Sequence, residues 1–118
     1  MPGCLFCKIA NGEMPTNFLY EDDLVVAFPD INPLTPTHVL VVPKRHYENI
    51  TDNVPAETLA AIAHAVKVVT EQAGIDKTGF RCITNTGDDG GQSVRHLHVH
   101  VLGGRKLDPA AGEGGAAR

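Results

Sequence analysis

Residues 96–102 read His96-Leu97-His98-Val99-His100-Val101-Leu102. Side chains alternate across a strand with a period of two. The spacing predicts a strand over 96–102, with three imidazoles on one face and Leu97, Val99 and Val101 pointing the other way into a core. Stacked imidazoles gain little for stability. They make a face that can attack, donate protons or hold a metal near neutral pH. The preceding stretch, Asn85-Thr86-Gly87-Asp88-Asp89-Gly90-Gly91-Gln92-Ser93, has the composition of a phosphate-binding turn. Three histidines at this spacing alone leave metal binding and catalysis equally open. The loop in front of them favours catalysis.

Outward from this stretch, the chain alternates short apolar runs with turn signals. Cys4 to Asn11 reads as a short helix ended by Gly12 and Pro15. Phe18–Tyr20 and Leu24–Phe28 read as strands around a polar turn at Glu21-Asp22-Asp23. Pro29, Asn32, Pro33 and Pro36 make 29–37 a rigid loop. His38-Val39-Leu40-Val41-Val42 is an apolar, β-branched strand stopped by Pro43. One clear helix starts at Pro55, which suits a first helical position. Its apolar stripe is Leu59, Ile62, Ala63, Val66, Val69 and Ala73, with Gly74 as a left-handed cap. His64 lies off that stripe and reads as a solvated surface residue. Phe80–Thr84 is a strand in which Cys82 reads as a small packed residue. The order is α+β: a five-stranded antiparallel sheet with one long and one short helix. Such a sheet leaves an edge strand, and a homodimer that extends the sheet would cover it. Residues 1–107 form the domain. Residues 108–118, rich in Ala and Gly, read as a loose tail.

With 118 residues, the chain is one domain with a single core. Its net charge is −4 and no basic stretch tracks a nucleic-acid backbone, which excludes polymeric DNA or RNA as the expected partner. No apolar run approaches membrane-spanning length. Met1-Pro2-Gly3-Cys4 leads straight to Lys8 without the apolar region of a signal peptide, so the expected compartment is the cytoplasm. There, Cys4, Cys7 and Cys82 are expected to be reduced, and Cys4-Leu5-Phe6-Cys7 reads as a metal-binding or redox-active pair.

Three features converge: the His96-x-His98-x-His100 strand, the Gly-rich loop ending in Ser93, and Pro36-Thr37-His38-Val39-Leu40-Val41-Val42-Pro43-Lys44-x-His46. Together they resemble the histidine triad (HIT) family and, within it, the Hint branch, from about Cys4 to Arg105. The resemblance implies a HIT-like fold and hydrolysis of purine nucleoside 5'-phosphoramidates, with aminoacyl-adenylates as a further substrate class. It makes His98 the nucleophile that attacks the α-phosphorus and forms a nucleotidyl-histidine. His100 faces the phosphate or leaving group, Ser93 the leaving group or a phosphate oxygen. His38 orients a ring or relays a proton. Asn85 holds a phosphate oxygen or orients the loop, while Gly91 and Gln92 belong to the phosphate turn. The family's nucleoside pocket maps onto Phe6, Phe28, Asp30, Ile31 and Leu40, with Asp30 on the ribose hydroxyls. Arg95 reads as a solvated charge.

Many bacterial members carry a cysteine pair and bind zinc with two further histidines. By that pattern Cys4, Cys7, His46 and His96 form a closed tetrahedral structural site, and the chemistry itself needs no cofactor. A thioredoxin-like context for the C-x-x-C pair is missing. Animal Hint proteins end in a Trp-containing segment that this chain lacks, so the resemblance does not carry over leaving-group preference. Three other readings compete with the phosphoramidase. They are a Fhit-type dinucleoside polyphosphate hydrolase, whose members usually carry Gln where Ser93 stands, a nucleotide-binding regulatory module with incidental turnover, and a zinc-handling protein.

Overall fold

Five antiparallel strands form one sheet in the order β1-β2-β3-β5-β4. This computed structural model describes residues 3–109, so all of the expected tail except Asp108 and Pro109 lies outside the described residues. The elements are α1 (Leu5–Ala10), β1 (Tyr20–Glu21), β2 (Val25–Pro29), β3 (Thr37–Pro43), α2 (Ala56–Ala73), β4 (Phe80–Ile83) and β5 (Val99–Gly103). The α+β expectation therefore holds, although the first strand is Tyr20–Glu21 rather than Phe18–Tyr20, with Glu21 paired to Val26 instead of lying in the turn.

The sheet is buried on both faces at its centre, which explains why β2 and β3 read as nearly continuous apolar runs. Val25, Ala27, Val39, Val41, Val99 and Val101 pack on one side with Ile62, Ala65 and Val69 of α2. Val26, Phe28, Leu40 and Val42 pack on the other with Phe6, Ile9 and Ala10 of α1. Strand alternation thus gives the two faces separate cores. Register places Leu40 opposite His100 and His38 opposite Leu102, so both histidines project on the α1 side.

Several expectations need correction. The last strand begins at Val99 rather than His96. The Leu97 N–H donates to Tyr47 O at 2.7 Å and the His98 carbonyl accepts the Thr84 hydroxyl at 2.9 Å, so the backbone of 96–98 is committed outside the ladder. Leu97, Val99 and Val101 nevertheless enter the α2-side core as expected. Pro55 is the N-cap of α2, with extended backbone, and not its first helical residue. The buried stripe of α2 is Thr58, Ile62, Ala65, Val69 and Thr70. Leu59 is 41% exposed, and Ala63 is exposed too. Thr70 is tolerated inside because its hydroxyl donates back to Val66 O at 2.8 Å. Cys82 is exposed, not packed. It lies on an edge strand, whereas α2 packs over β1, β2 and β3. His64 is exposed as expected, with its ring 5.7 Å from that of Tyr20.

Candidate active site and metal centre

His98 and His100 lie side by side beneath the surface, with ring centroids 5.0 Å apart and exposures of 1% and 0%. The Nδ1 of His98 is 2.7 Å from the carbonyl oxygen of His96. A carbonyl only accepts, so Nδ1 carries the proton and the lone pair of the neutral ring sits on Nε2. The Thr84 hydroxyl pins the His98 backbone from β4's end, and the edge of Phe6 meets the His98 ring at 4.8 Å. Neither Thr84 nor this Phe6 contact had a signal in the sequence pattern.

A second chain of bonds sets His100. The Leu34 N–H donates to His38 Nδ1 at 3.1 Å. The neutral His38 therefore carries its proton on Nε2, which lies 2.9 Å from His100 Nδ1. His100 accepts there, and its own proton resides on Nε2. Asp30 Oδ2 approaches His38 Nε2 at 3.4 Å, from a side chain that is fully buried. Asp30 Oδ1 accepts the Asn32 N–H at 2.9 Å, an Asx turn within the Pro-rich loop.

The loop over 84–93 is organised from within. The Asn85 side chain donates to Gly90 O at 2.7 Å, which is the loop-orienting alternative for that residue. Gly87 and Gly91 have φ of 70° and 81°. A Cβ on Gly90 would lie 2.3 Å from Thr86 O, so only glycine fits there. The Gly91 and Gln92 N–H groups donate to Asp88 O and Gly87 O, both at 3.0 Å. Gln92 is buried. Its amide accepts from Gly87 N–H at 3.0 Å and donates to Glu48 O at 2.6 Å. These groups build the turn. Arg95 pairs with Asp88 and also reaches Gln92 at 3.4 Å, so it stitches the loop. Ser93 is exposed and lines a depression with Cys4, His46 and Arg95.

An open pocket of about 420 Å³ lies against α1. All five residues expected around a nucleoside line it: Phe6, Phe28, Asp30, Ile31 and Leu40. Phe6 and Phe28 meet edge to face at 6.0 Å, and Ile31 stands on the rim at 87% exposure. Asp30 lies at its floor, turned toward His38.

The remaining expected cluster also assembles. Cys4, Cys7, His46 and His96 bring one ligand atom each within 4.8 Å of one another. The His96 Nδ1 lies 3.3 Å from both sulfurs, and the His46 Nδ1 3.2 Å from Cys7 Sγ. Tetrahedral zinc with ordinary bond lengths separates sulfur and nitrogen ligands by roughly 3.5 Å. The donor set therefore fits zinc after an outward shift of a few tenths of an ångström. His96 Nε2 donates to Pro43 O at 2.8 Å, which leaves the Nδ1 lone pair facing the sulfurs. Burial lowers the His96 pKa to about 4, keeping the ring in its ligand form. Burial and the neighbouring Cys4 raise that of the Cys7 thiol, so a bound divalent cation would be needed to hold it as the thiolate. The C-x-x-C spacing follows from α1: Cys4 is its N-cap, its sulfur accepts the Cys7 N–H at 3.2 Å, and one turn brings the two sulfurs together. Among the described residues, no helix is long and apolar enough to cross a membrane.

Known proteins resemble this chain in both sequence and fold. The HIT domain family matches residues 11–107. The purine nucleoside phosphoramidase of Escherichia coli K12 is 44% identical over 108 residues, covering 89% of this chain and 90% of that protein. Protein HitA of Neisseria gonorrhoeae is 40% identical over 105 residues, covering 87% and 97%. A solved histidine triad protein from Clostridium difficile superimposes with a TM-score of 0.85 at 49% identity, over 92% of this chain and 96% of that one. A HIT family hydrolase from Clostridium thermocellum gives a TM-score of 0.87 at 44% identity, over 92% and 96%.

Proposed function

The chain belongs to the HIT family, and from that premise we propose that it hydrolyses purine nucleoside 5'-phosphoramidates to the nucleoside monophosphate. The observation that carries this reading is the locked tautomer of His98, with its Nδ1–H held by the His96 carbonyl and its lone pair on Nε2. The E. coli relative that bears the name purine nucleoside phosphoramidase supports the substrate class.

In this mechanism the purine enters the pocket of Phe6, Phe28, Ile31 and Leu40, and Asp30 faces the ribose. His98 Nε2 attacks the α-phosphorus. The phosphorus–nitrogen bond breaks, and the amine leaves with a proton from solvent or from a group at the site's mouth, where Ser93 hydrogen-bonds it. His100 donates its Nε2–H to a phosphoryl oxygen, so charge that develops in the transition state meets a preorganised donor. His38 holds His100 in that tautomer. Asn85, Gly91 and Gln92 shape the loop around the phosphate. Water then cleaves the nucleotidyl-histidine, regenerating His98. Zinc bound by Cys4, Cys7, His46 and His96 would serve as a structural tie between α1 and the segment that carries His98. The working unit is a homodimer in the cytoplasm, with β4 as the edge that a second copy covers.

A turnover assay on adenosine 5'-phosphoramidate and on diadenosine polyphosphates, with His98→Ala as control, tests this reading. We expect AMP release from the phosphoramidate, lost by at least roughly a thousandfold in the variant. Faster cleavage of the polyphosphate moves the assignment to a Fhit-type hydrolase. Binding of AMP without turnover of either substrate leaves a regulatory binding module.

A further inference from the structure

Asp30 lies on the floor of the nucleoside pocket, yet its carboxylate is fully buried and lies 3.4 Å from His38 Nε2. That nitrogen also lies 2.9 Å from His100 Nδ1. We propose that Asp30 is a positioning residue for the His38–His100 pair, so that one carboxylate serves both the nucleoside pocket and the tautomer of the phosphate-facing ring. This inference rests on the phosphoramidase reading for its substrates.

Proton placement links the three side chains. The Leu34 N–H occupies His38 Nδ1, so the neutral His38 has a single proton and it sits on Nε2. It is directed to His100 Nδ1, while the negative charge of the Asp30 carboxylate stands 3.4 Å from the same nitrogen. A carboxylate can only accept, so it favours the His38 tautomer that donates to His100. His100 then keeps its own proton on Nε2, where it serves as a donor to phosphate. The rigid Pro29–Pro36 loop supports this arrangement at both ends. Asp30 N–H donates to His38 O at 2.9 Å, and Asp30 Oδ1 accepts the Asn32 N–H. Asp30, His38 and His100 also form a cluster of potential metal ligands. The 2.9 Å between the two ring nitrogens is a hydrogen-bond distance, however, and is shorter than the gap an intervening ion requires.

Asp30→Asn keeps the shape but offers an N–H₂ toward His38 Nε2. That group would favour the opposite tautomer, with a proton on Nδ1 against the Leu34 N–H. The same logic accounts for the effect of removing a carboxylate behind a catalytic histidine elsewhere. A pure ribose ligand would behave differently.

The experiment compares wild type and Asp30→Asn on adenosine 5'-phosphoramidate and on its 2',3'-dideoxy analogue, alone and in a His38→Phe background. We expect kcat to fall by roughly tenfold or more on both substrates, with a rise in KM only on the ribose substrate. In the His38→Phe background the additional fall in kcat disappears. A loss confined to the ribose substrate, or one that persists undiminished beside His38→Phe, overturns the proposal. Long-range proton–nitrogen NMR of the imidazoles gives a readout independent of turnover. Asp30→Asn should shift the His38 and His100 ring-nitrogen signals, and unchanged signals in a folded variant also overturn the proposal. If the wild type turns over neither substrate, the phosphoramidase reading fails on its own, and the ring-nitrogen spectra still decide the role of Asp30.

Discussion

The carbonyl oxygen of His96 accepts the Nδ1–H of His98 at 2.7 Å, while the ring of the same His96 reaches both cysteine sulfurs at 3.3 Å. One residue therefore belongs to two clusters. Its side chain completes the candidate metal centre, and its backbone sets the tautomer of the candidate nucleophile.

Removal of the metal ligands should be felt at the active site through that residue. Cys7→Ser should abolish stoichiometric zinc in the purified protein and lower Tm by several degrees, because a structural site contributes to folding directly. It should also lower kcat. Elemental analysis beside thermal unfolding checks this, and full activity at full stability in a zinc-free variant would separate the two clusters.

Thr84 holds the His98 carbonyl from β4's end at 2.9 Å. Thr84→Val removes one hydrogen bond to a buried group, at a cost of about 1 kcal/mol. The expected kinetic signature is a lower kcat with KM nearly unchanged, since the nucleoside pocket is untouched. Steady-state kinetics and chemical denaturation measure the two effects separately.

Phe6 is buried at 3% exposure and meets Phe28 and the rings of His96 and His98. Phe6→Ala should cost about 3–5 kcal/mol in denaturant unfolding. Phe6→Leu refills most of the volume and should restore stability. Its weaker purine contact should then appear as a raised KM.

Asp22 closes the β1–β2 turn. Desolvation works against its charged form, but the Leu24 and Val25 N–H groups, the Tyr20 hydroxyl and Lys44 prevail, so its pKa lies below the ordinary 3.8. Because the folded value is the lower one, the unfolded chain binds the proton first as pH falls. The stabilisation is present in full above the unfolded-state pKa and is lost as pH drops through the folded one. Asp22→Asn should flatten the acid limb of the stability curve, as measured by denaturation between neutral pH and pH about 3.

The edge strand β4 carries exposed Phe80 and Cys82. A Phe80→Glu variant should shift the mass in light scattering from two chains toward one at micromolar concentration, because a charge at an edge opposes pairing. An unshifted dimer would place the interface elsewhere.

Much of this protein could be read from local pattern. The apolar runs of β2 and β3, the helix of α2 and the glycine at its C-cap are short-range signals, and each appears where expected, although only Ile62 and Val69 of the expected α2 stripe are buried. The alternation from Leu97 to Val101 assigns side chains to faces even though the ladder starts only at Val99. The four candidate metal ligands lie within 4.8 Å of one another, and the five residues expected around a nucleoside line one pocket. Burial is less legible than period. Cys82 has the period of a strand, but it lies on the edge strand β4, whereas α2 packs over β1, β2 and β3.

What the amino-acid order determined alone was which residues repeat, which turn and which can do chemistry. Those properties act over a few residues. Proton placement was decided only in three dimensions. A backbone N–H from Leu34 and a carbonyl from His96 each reach an imidazole and choose which nitrogen carries its hydrogen. Hydrogen bonds of about 3 Å require partners held by the whole fold, and no periodicity in the chain records which partner arrives.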